Sequence, residues 1–286
     1  MDEIIQTMLA KYNPQNNIER ENAIKEIIQE IALSGLARGD FFEKVAFYGG
    51  SCLRIFYGLN RFSEDLDFAL IKKDESFNIS DYFPYLEKEF LSYGLELKIE
   101  MKQKRDDFKV QSAFLKTNTM EMLMNLFPNS DEIKKVIPNQ ILKVKFEIDV
   151  DNPDGGNTEY KYRFFPSPYE VQVFDEETLF AGKIHAILCR EHKNNVKGRD
   201  YYDYLFYVGK GSKINLQYLE NKLKNSGKID ANEILTLDII KEMLKDKFNN
   251  TDFELAKIDV ERFITNKDSL RLWNKDLFIA SLDSLR

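Results

Sequence analysis

The sequence predicts an α+β fold, in which a domain of mixed strands and helices over residues 1–175 precedes an α-helical bundle over residues 176–286. Three observations carry this. The first part interleaves period-two apolar alternation with helical spacing. Every apolar-periodic segment after residue 175 reads as helix. The change of texture falls at the end of a Pro-containing stretch, FFPSPYEVQVFD (164–175).

The elements follow in order. Ile24, Ile27, Ile28 and Ile31 recur at i, i+3, i+4 and i+7, the mark of an amphipathic helix, with Asn16 or Asn17 as its cap and Gly35 as its stop. Val45-Ala46-Phe47-Tyr48 is a short apolar run that meets Gly49-Gly50-Ser51, as a buried strand meets a sharp turn; Leu53, Phe56 and Tyr57 then resume helical spacing. Residues 64–70 alternate, with Leu66, Phe68 and Leu70 on one face and Asp65 and Asp67 toward the other. A helix near 81–93 and strands at 95–103 and 108–116 come next. In ILKVKFEIDV (141–150) five apolar residues oppose Lys143, Lys145, Glu147 and Asp149. After the turn segment DNPDGGN (151–157), strands are predicted at 158–164 and 169–174. Helices are predicted at 176–191, 199–208, 214–225, 232–247, 252–264 and 268–284.

Composition narrows the class. Apolar residues make up 43% of the chain and aromatics 13%, enough for a bulky core, whereas the net charge of −7 argues against coating nucleic acid by bulk electrostatics. Cys52 and Cys189 lie far apart without metal-ligand spacing and read as reduced thiols. The amino terminus lacks a signal-peptide pattern and no window reaches the apolar length of a membrane span, so a cytoplasmic protein with no membrane association is expected. The two histidines, His185 and His192, form no zinc pattern and read as structural or surface residues.

The chemistry centres on Gly49-Gly50-Ser51 followed by Asp65-Leu66-Asp67. Glycines before a helix let backbone N–H groups approach a phosphate, and the helix amino terminus favours an anion. The Ser51 hydroxyl can donate to the same group. Two carboxylates at i and i+2 on a strand share one face, a costly crowding unless a divalent cation lies between them. A third acid on a neighbouring strand would complete an oxygen-rich site, and Glu147 and Asp149 both qualify. Either motif alone occurs by chance; their combination with the later E-x-D strand is more specific. Arg61 and Ser63 either contact a triphosphate and orient the acids, or are a surface residue and a turn cap.

A second constellation opens the helical region. Lys183, Arg190, Lys193, Lys197 and Arg199 face one acidic residue, Glu191, over residues 183–199, a local reversal of charge that either binds phosphates or forms a solvated face. Small and apolar neighbours place Lys183 in a partly buried helix, where it needs an anionic partner, a phosphate or a carboxylate such as Asp200. Tyr201, Tyr202, Tyr204, Phe206 and Tyr207 read as helix packing.

The run FYGGSCLRIFYGLNRFSEDLDFAL resembles the first motif of the AbiEii/AbiGii toxin family of nucleotidyltransferases, within the DNA polymerase β-like superfamily, and KFEIDVDNP, LFAGKIHAILCR and KGRDYYDYL resemble its later motifs in order. The resemblance covers roughly residues 40–210 and implies a mixed-sheet nucleotidyltransferase core plus a helical bundle. It also implies that Gly50 and Ser51 bind nucleotide phosphates, that Asp65 and Asp67 ligate Mg2+ (or Mn2+), and that Lys183 and Asp200 are a later essential pair. The family pattern favours Glu147 as the third acid, while the superfamily signature fits Asp149 equally. Family members act as toxins of two-gene toxin–antitoxin or phage-defence systems, and some transfer nucleotides to the 3′ end of tRNA.

The expectation is therefore a nucleotidyltransferase that moves a nucleoside monophosphate from an NTP to a hydroxyl, the tRNA 3′ end foremost. Its partners would be the triphosphate, the tRNA and an antitoxin. Its nucleotide-binding residues would be Gly49, Gly50, Ser51, Arg61, Ser63 and Lys183, with acceptor contacts from Lys193, Lys197 and Arg199. The alternatives are a protein or small-molecule acceptor, and a non-catalytic nucleotide-binding module.

Overall fold

A computed structural model describes residues 3–12, 14–102, 110–118, 141–191 and 196–286. Its centre is a seven-stranded mixed sheet in the order β3-β4-β5-β2-β1-β7-β6. The strands are β1 (Val45–Tyr48), β2 (Leu66–Leu70), β3 (Lys98–Met101), β4 (Val110–Asn118), β5 (Ile141–Asp149), β6 (Thr158–Arg163) and β7 (Tyr169–Phe174). β2 runs parallel to β5 and antiparallel to β1, while β1 runs parallel to β7. The predicted α+β class and mixed sheet are thus present. The predicted strand residues 103, 108 and 109 lie outside the described residues.

The chain divides into two compact units. The first comprises Met1–Cys52, Phe62–Asn152 and Tyr160–Val173, and so most of the sheet. Period-two alternation sends Leu66, Phe68 and Leu70 into its core. There Phe68 meets Phe41 and Phe146 edge to face, each with ring centroids 5.1 Å apart. Helix α2 (Asn17–Ala37), preceded by α1 (Glu3–Ala10), starts on Asn16, whose side chain accepts from the Glu19 N–H.

Gly35 does not stop α2, which runs on to Ala37. A Cβ at Gly35 would lie 3.0 Å from the Glu89 Cβ and 3.2 Å from the Tyr85 carbonyl, so the glycine lets α4 (Phe83–Ser92) pack closely. The charged groups buried beside this packing are satisfied. Glu89 accepts from Ser34 and from Arg38, each at 2.7 Å, and Glu30 pairs with Arg163 at 2.6 Å.

The second unit comprises Leu53–Arg61, Pro153–Glu159 and Phe174–Arg286. It holds α5 (Glu176–Cys189), α6 (Gly198–Lys210), α7 (Leu216–Asn225), α8 (Leu237–Asn249), α9 (Phe253–Glu261) and α10 (Lys275–Ser281). Asp175 caps α5 by accepting from the Thr178 N–H at 2.8 Å. The helical spacing of Tyr201, Tyr204 and Tyr207 buries all three, with Tyr207 stacked on Phe180 at 4.5 Å and the Tyr201 and Tyr204 hydroxyls paired with Thr251 and Ser281. Most of the predicted helices after residue 175 are shorter than expected. Residues 232–236 precede α8, which Thr236 caps, and the span 268–284 resolves into 3-10 turns around α10, which Asn274 caps. Among the described residues, no helix is long and apolar enough to cross a membrane.

Candidate active site

A pair of carboxylates lies in the first unit. β1 ends at Tyr48 and α3 (Gly49–Tyr57) begins on the next residue, with Gly49 at φ +79°, a conformation that favours glycine. Space demands glycine there too, because a Cβ would fall 2.5 Å from the Asp67 Oδ2. The Ser51 side chain is wholly buried and its hydroxyl donates to the Asp65 carbonyl. The GGS turn therefore fixes the segment carrying both acids at two points. The first-turn N–H groups of α3, which include those of Gly50 and Ser51, have no intrahelical acceptor and form a potential anion site.

Asp65 directly precedes β2 and Asp67 is its second residue; both are half-buried. In register, Asp67 lies between Tyr48 of β1 and Glu147 of β5, while Asp149 lies opposite Ala69, one two-residue step further. Glu147 accepts from the Ser112 hydroxyl at 2.9 Å and pairs with Lys145 at 2.5 Å. Asp149 accepts from the Asp151 N–H at 3.0 Å and so closes the following turn. The Ser63 carbonyl accepts from Gln29 at 3.0 Å and Glu64 pairs with Lys25 at 2.8 Å, which ties the approach to the acids onto α2.

Among the described residues no three His, Cys, Asp or Glu side chains gather closely enough to hold a metal alone. Mg2+ does not require such a cage, since it is held by one or two carboxylates together with substrate phosphates and water. Asp65 and Asp67 fit that pattern.

The second unit contains a buried charge cluster. Arg61 donates through Nε and Nη2 to the two oxygens of Asp203, both at 2.7 Å, and is 3% exposed. The Lys183 ammonium lies 2.7 Å from Asp200 and 2.9 Å from Asp203. Arg190 reaches the other Asp200 oxygen at 2.5 Å. Burial would push Lys183 down, yet the Asp200 and Asp203 carboxylates outweigh it and hold the ammonium above the usual lysine range. Burial likewise opposes ionisation of Asp203, and the Arg61 and Lys183 charges overcome it to hold that carboxyl low.

Sequence reasoning gave Lys183 a carboxylate partner in Asp200 and missed Asp203. The signal was present, because residues 200 and 203 share one face of a helix. It missed the Arg61–Asp203 pair as well, which joins residues 142 positions apart. Arg61 is no surface residue.

Arg199 turns inward, its guanidinium 4.3 Å from the Phe263 ring centroid and 3.7 Å from Asp259. Lys197 stands at the start of α6, partly exposed. Lys193 and His192 lie outside the described residues. His185 meets the Ser226 hydroxyl at 3.2 Å, and burial, with Lys222 nearby, pushes its pKa down to about 4. It is structural and neutral. Cys52 is buried, Cys189 partly so, and neither forms a disulfide.

Comparison with known proteins places this geometry. A family model described as the nucleotidyl transferase AbiEii toxin of a type IV toxin–antitoxin system matches residues 31–276. No curated protein sequence matches significantly. Among solved structures, MenT4, a nucleotidyltransferase toxin from Mycobacterium tuberculosis H37Rv, is similar at 14% identity and a TM-score of 0.56, over 98% of this chain and 90% of that one. The Helicobacter pylori protein JHP933 aligns at 18% identity and a TM-score of 0.46, over 91% of this chain and 88% of that one. The match spans both motif regions, the GGS turn with Asp65 and Asp67 and the later Lys183 and Asp200, and the chain belongs to the AbiEii nucleotidyl transferase toxin family.

Proposed function

We propose that this nucleotidyltransferase transfers a nucleoside monophosphate from an NTP to a terminal hydroxyl of RNA, the tRNA 3′ end foremost, as the toxin of a two-gene system with a cognate antitoxin. The observation that carries the reading is the packing of the GGS turn against Asp67, so close that a Cβ at Gly49 would fall 2.5 Å from the Asp67 Oδ2. That arrangement sets a phosphate-binding turn and a carboxylate pair side by side.

The N–H groups of Gly50 and Ser51 would bind triphosphate oxygens, and Asp65 and Asp67 would hold Mg2+. When bound, Mg2+ would neutralise charge on the phosphates and favour ionisation of the attacking hydroxyl. That oxygen forms a bond to the α-phosphorus as the bond to the bridging oxygen breaks and pyrophosphate leaves. Glu147 would serve as the third acid of the site; its register position opposite Asp67 supports this reading over Asp149, which lies opposite Ala69. Lys183, protonated between Asp200 and Asp203, balances charge on the triphosphate.

A protein or small-molecule acceptor is favoured by one observation: Arg199, expected at the acceptor, is occupied by Phe263 and Asp259. The test incubates the protein with Mg2+, total bacterial RNA and each labelled NTP, beside an Asp67→Asn control. Label in the tRNA band with wild type alone supports the proposal. Triphosphate binding without labelled RNA moves the acceptor to protein or small molecule, and a shallow salt dependence of acceptor binding accompanies that outcome. A protein that binds no triphosphate is not a transferase of this kind.

A further inference from the structure

We propose that Arg61 and Asp203 form a buried positioning pair for Lys183, in which Asp203 fixes the ammonium and Arg61 keeps the cluster net positive. The inference rests on Lys183 serving the triphosphate.

The two carboxylates beside Lys183 are not equivalent. Asp203 is 0% exposed and its second partner, Arg61, is sealed in with it. Asp200 faces Arg190, whose side chain is 49% exposed. Asp203 is therefore the sealed side of the cradle, and Asp200 the side whose second partner reaches solvent. A lysine ammonium has three N–H donors, and the two carboxylates use two of them. Among the described residues nothing else takes the third, which would serve an anion.

The charge balance assigns Arg61 its part. Lys183 facing Asp200 and Asp203 alone would be over-neutralised and would repel a triphosphate. The planar Arg61 fork takes up both oxygens of Asp203, a geometry that a lysine cannot reproduce. With Arg61, Lys183 and Arg190 set against Asp200 and Asp203, the cluster keeps one net positive charge.

The two members should then fail in opposite ways. Asp203→Asn removes one of the anions that hold Lys183 protonated and leaves the Arg61 charge beside it, so Lys183 loses its proton at lower pH. Arg61→Met removes a repelling cation, so Lys183 stays protonated while the cluster falls from one net positive charge to neutral. Because Asp203→Asn strands a buried guanidinium, the double variant Arg61→Met/Asp203→Asn is carried beside it.

Two measurements decide the matter over pH 6–10: kcat/KM for the labelled NTP, and titration of Lys183 by NMR on protein with 13C-labelled lysine. Asp203→Asn should show a new alkaline limb in kcat/KM, falling about ten-fold per pH unit above its midpoint, and the double variant, which has also lost the repelling guanidinium, should show that limb at higher pH. The Lys183 resonance should titrate with the same midpoint. Arg61→Met should raise the KM for NTP without that limb. Folded Asp203→Asn protein whose profile parallels wild type, or whose Lys183 titrates as in wild type, would overturn the pair, as would an Arg61→Met protein with an unchanged KM. A wild-type protein without transfer would instead sink the reading of the site, and the titration, which needs no substrate, tells the two failures apart.

Discussion

Replacing Gly49 by alanine separates backbone strain from contact with Asp67. Gly49 and Gly94 belong to the same unit and share the left-handed backbone, at φ +79° and +70°. An alanine in that conformation costs about 1–2 kcal/mol, which in a protein of this size lowers Tm by roughly 2–8 °C. Gly94 has nothing within 4 Å of a Cβ, so Gly94→Ala meets the backbone cost alone. At Gly49 the added methyl would sit 2.5 Å from the Asp67 Oδ2, whereas ordinary contact begins at 3.4 Å. The carboxylate must move by about 1 Å, and a misplacement of that size in a reacting geometry costs about 100-fold in rate. The assay pairs thermal melts with labelled-nucleotide transfer. The expected result is similar melting of both variants, transfer near wild type for Gly94→Ala and about 100-fold lower for Gly49→Ala. Equal transfer by the two would refute the assignment of the turn to Asp67.

Other perturbations read separate parts of the molecule. Gly35→Ala forces a methyl against Glu89 and the Tyr85 carbonyl and is expected to lose about 1–3 kcal/mol in a denaturant titration; unchanged stability would show that α4 moves aside freely. His185, with its pKa pushed down to about 4 from 6.5, is neutral in the folded state where the unfolded chain would bind a proton. Its contribution is therefore fully present above pH 6.5 and lost as pH falls toward 4, and it amounts to at most about 3 kcal/mol. His185→Gln should flatten the stability profile across that window, and a slope unchanged from wild type would contradict the burial of the ring.

Much of the fold was legible because period-two alternation is strict where one face of a strand is buried. Val45–Tyr48 and 141–149 could be placed from apolar residues alone, and the same alternation set Asp65 and Asp67 apart from Leu66, Phe68 and Leu70. The choice between Glu147 and Asp149 could not be made that way. Both lie on the polar face of one strand, and only the pairing of β2 with β5 sets Glu147 beside Asp67. Gly35 misled because a glycine near a helix end serves a stop or a close approach equally well, and only the tertiary neighbour Glu89 distinguishes them. The Arg61–Asp203 pair was hidden by its sequence separation, although a lysine among apolar residues at 183 already required a buried anion nearby. The helix predicted over 268–284 was overextended because amphipathic spacing continues through 3-10 turns.

The most direct test of the carboxylate pair as the centre of catalysis is Mg2+-dependent transfer from labelled NTPs to total bacterial RNA, with wild type beside Asp65→Asn and Asp67→Asn proteins of matched melting temperature. Label in RNA that requires both Mg2+ and the two intact carboxylates is the expected result. Transfer by either well-folded variant at the wild-type rate would contradict it.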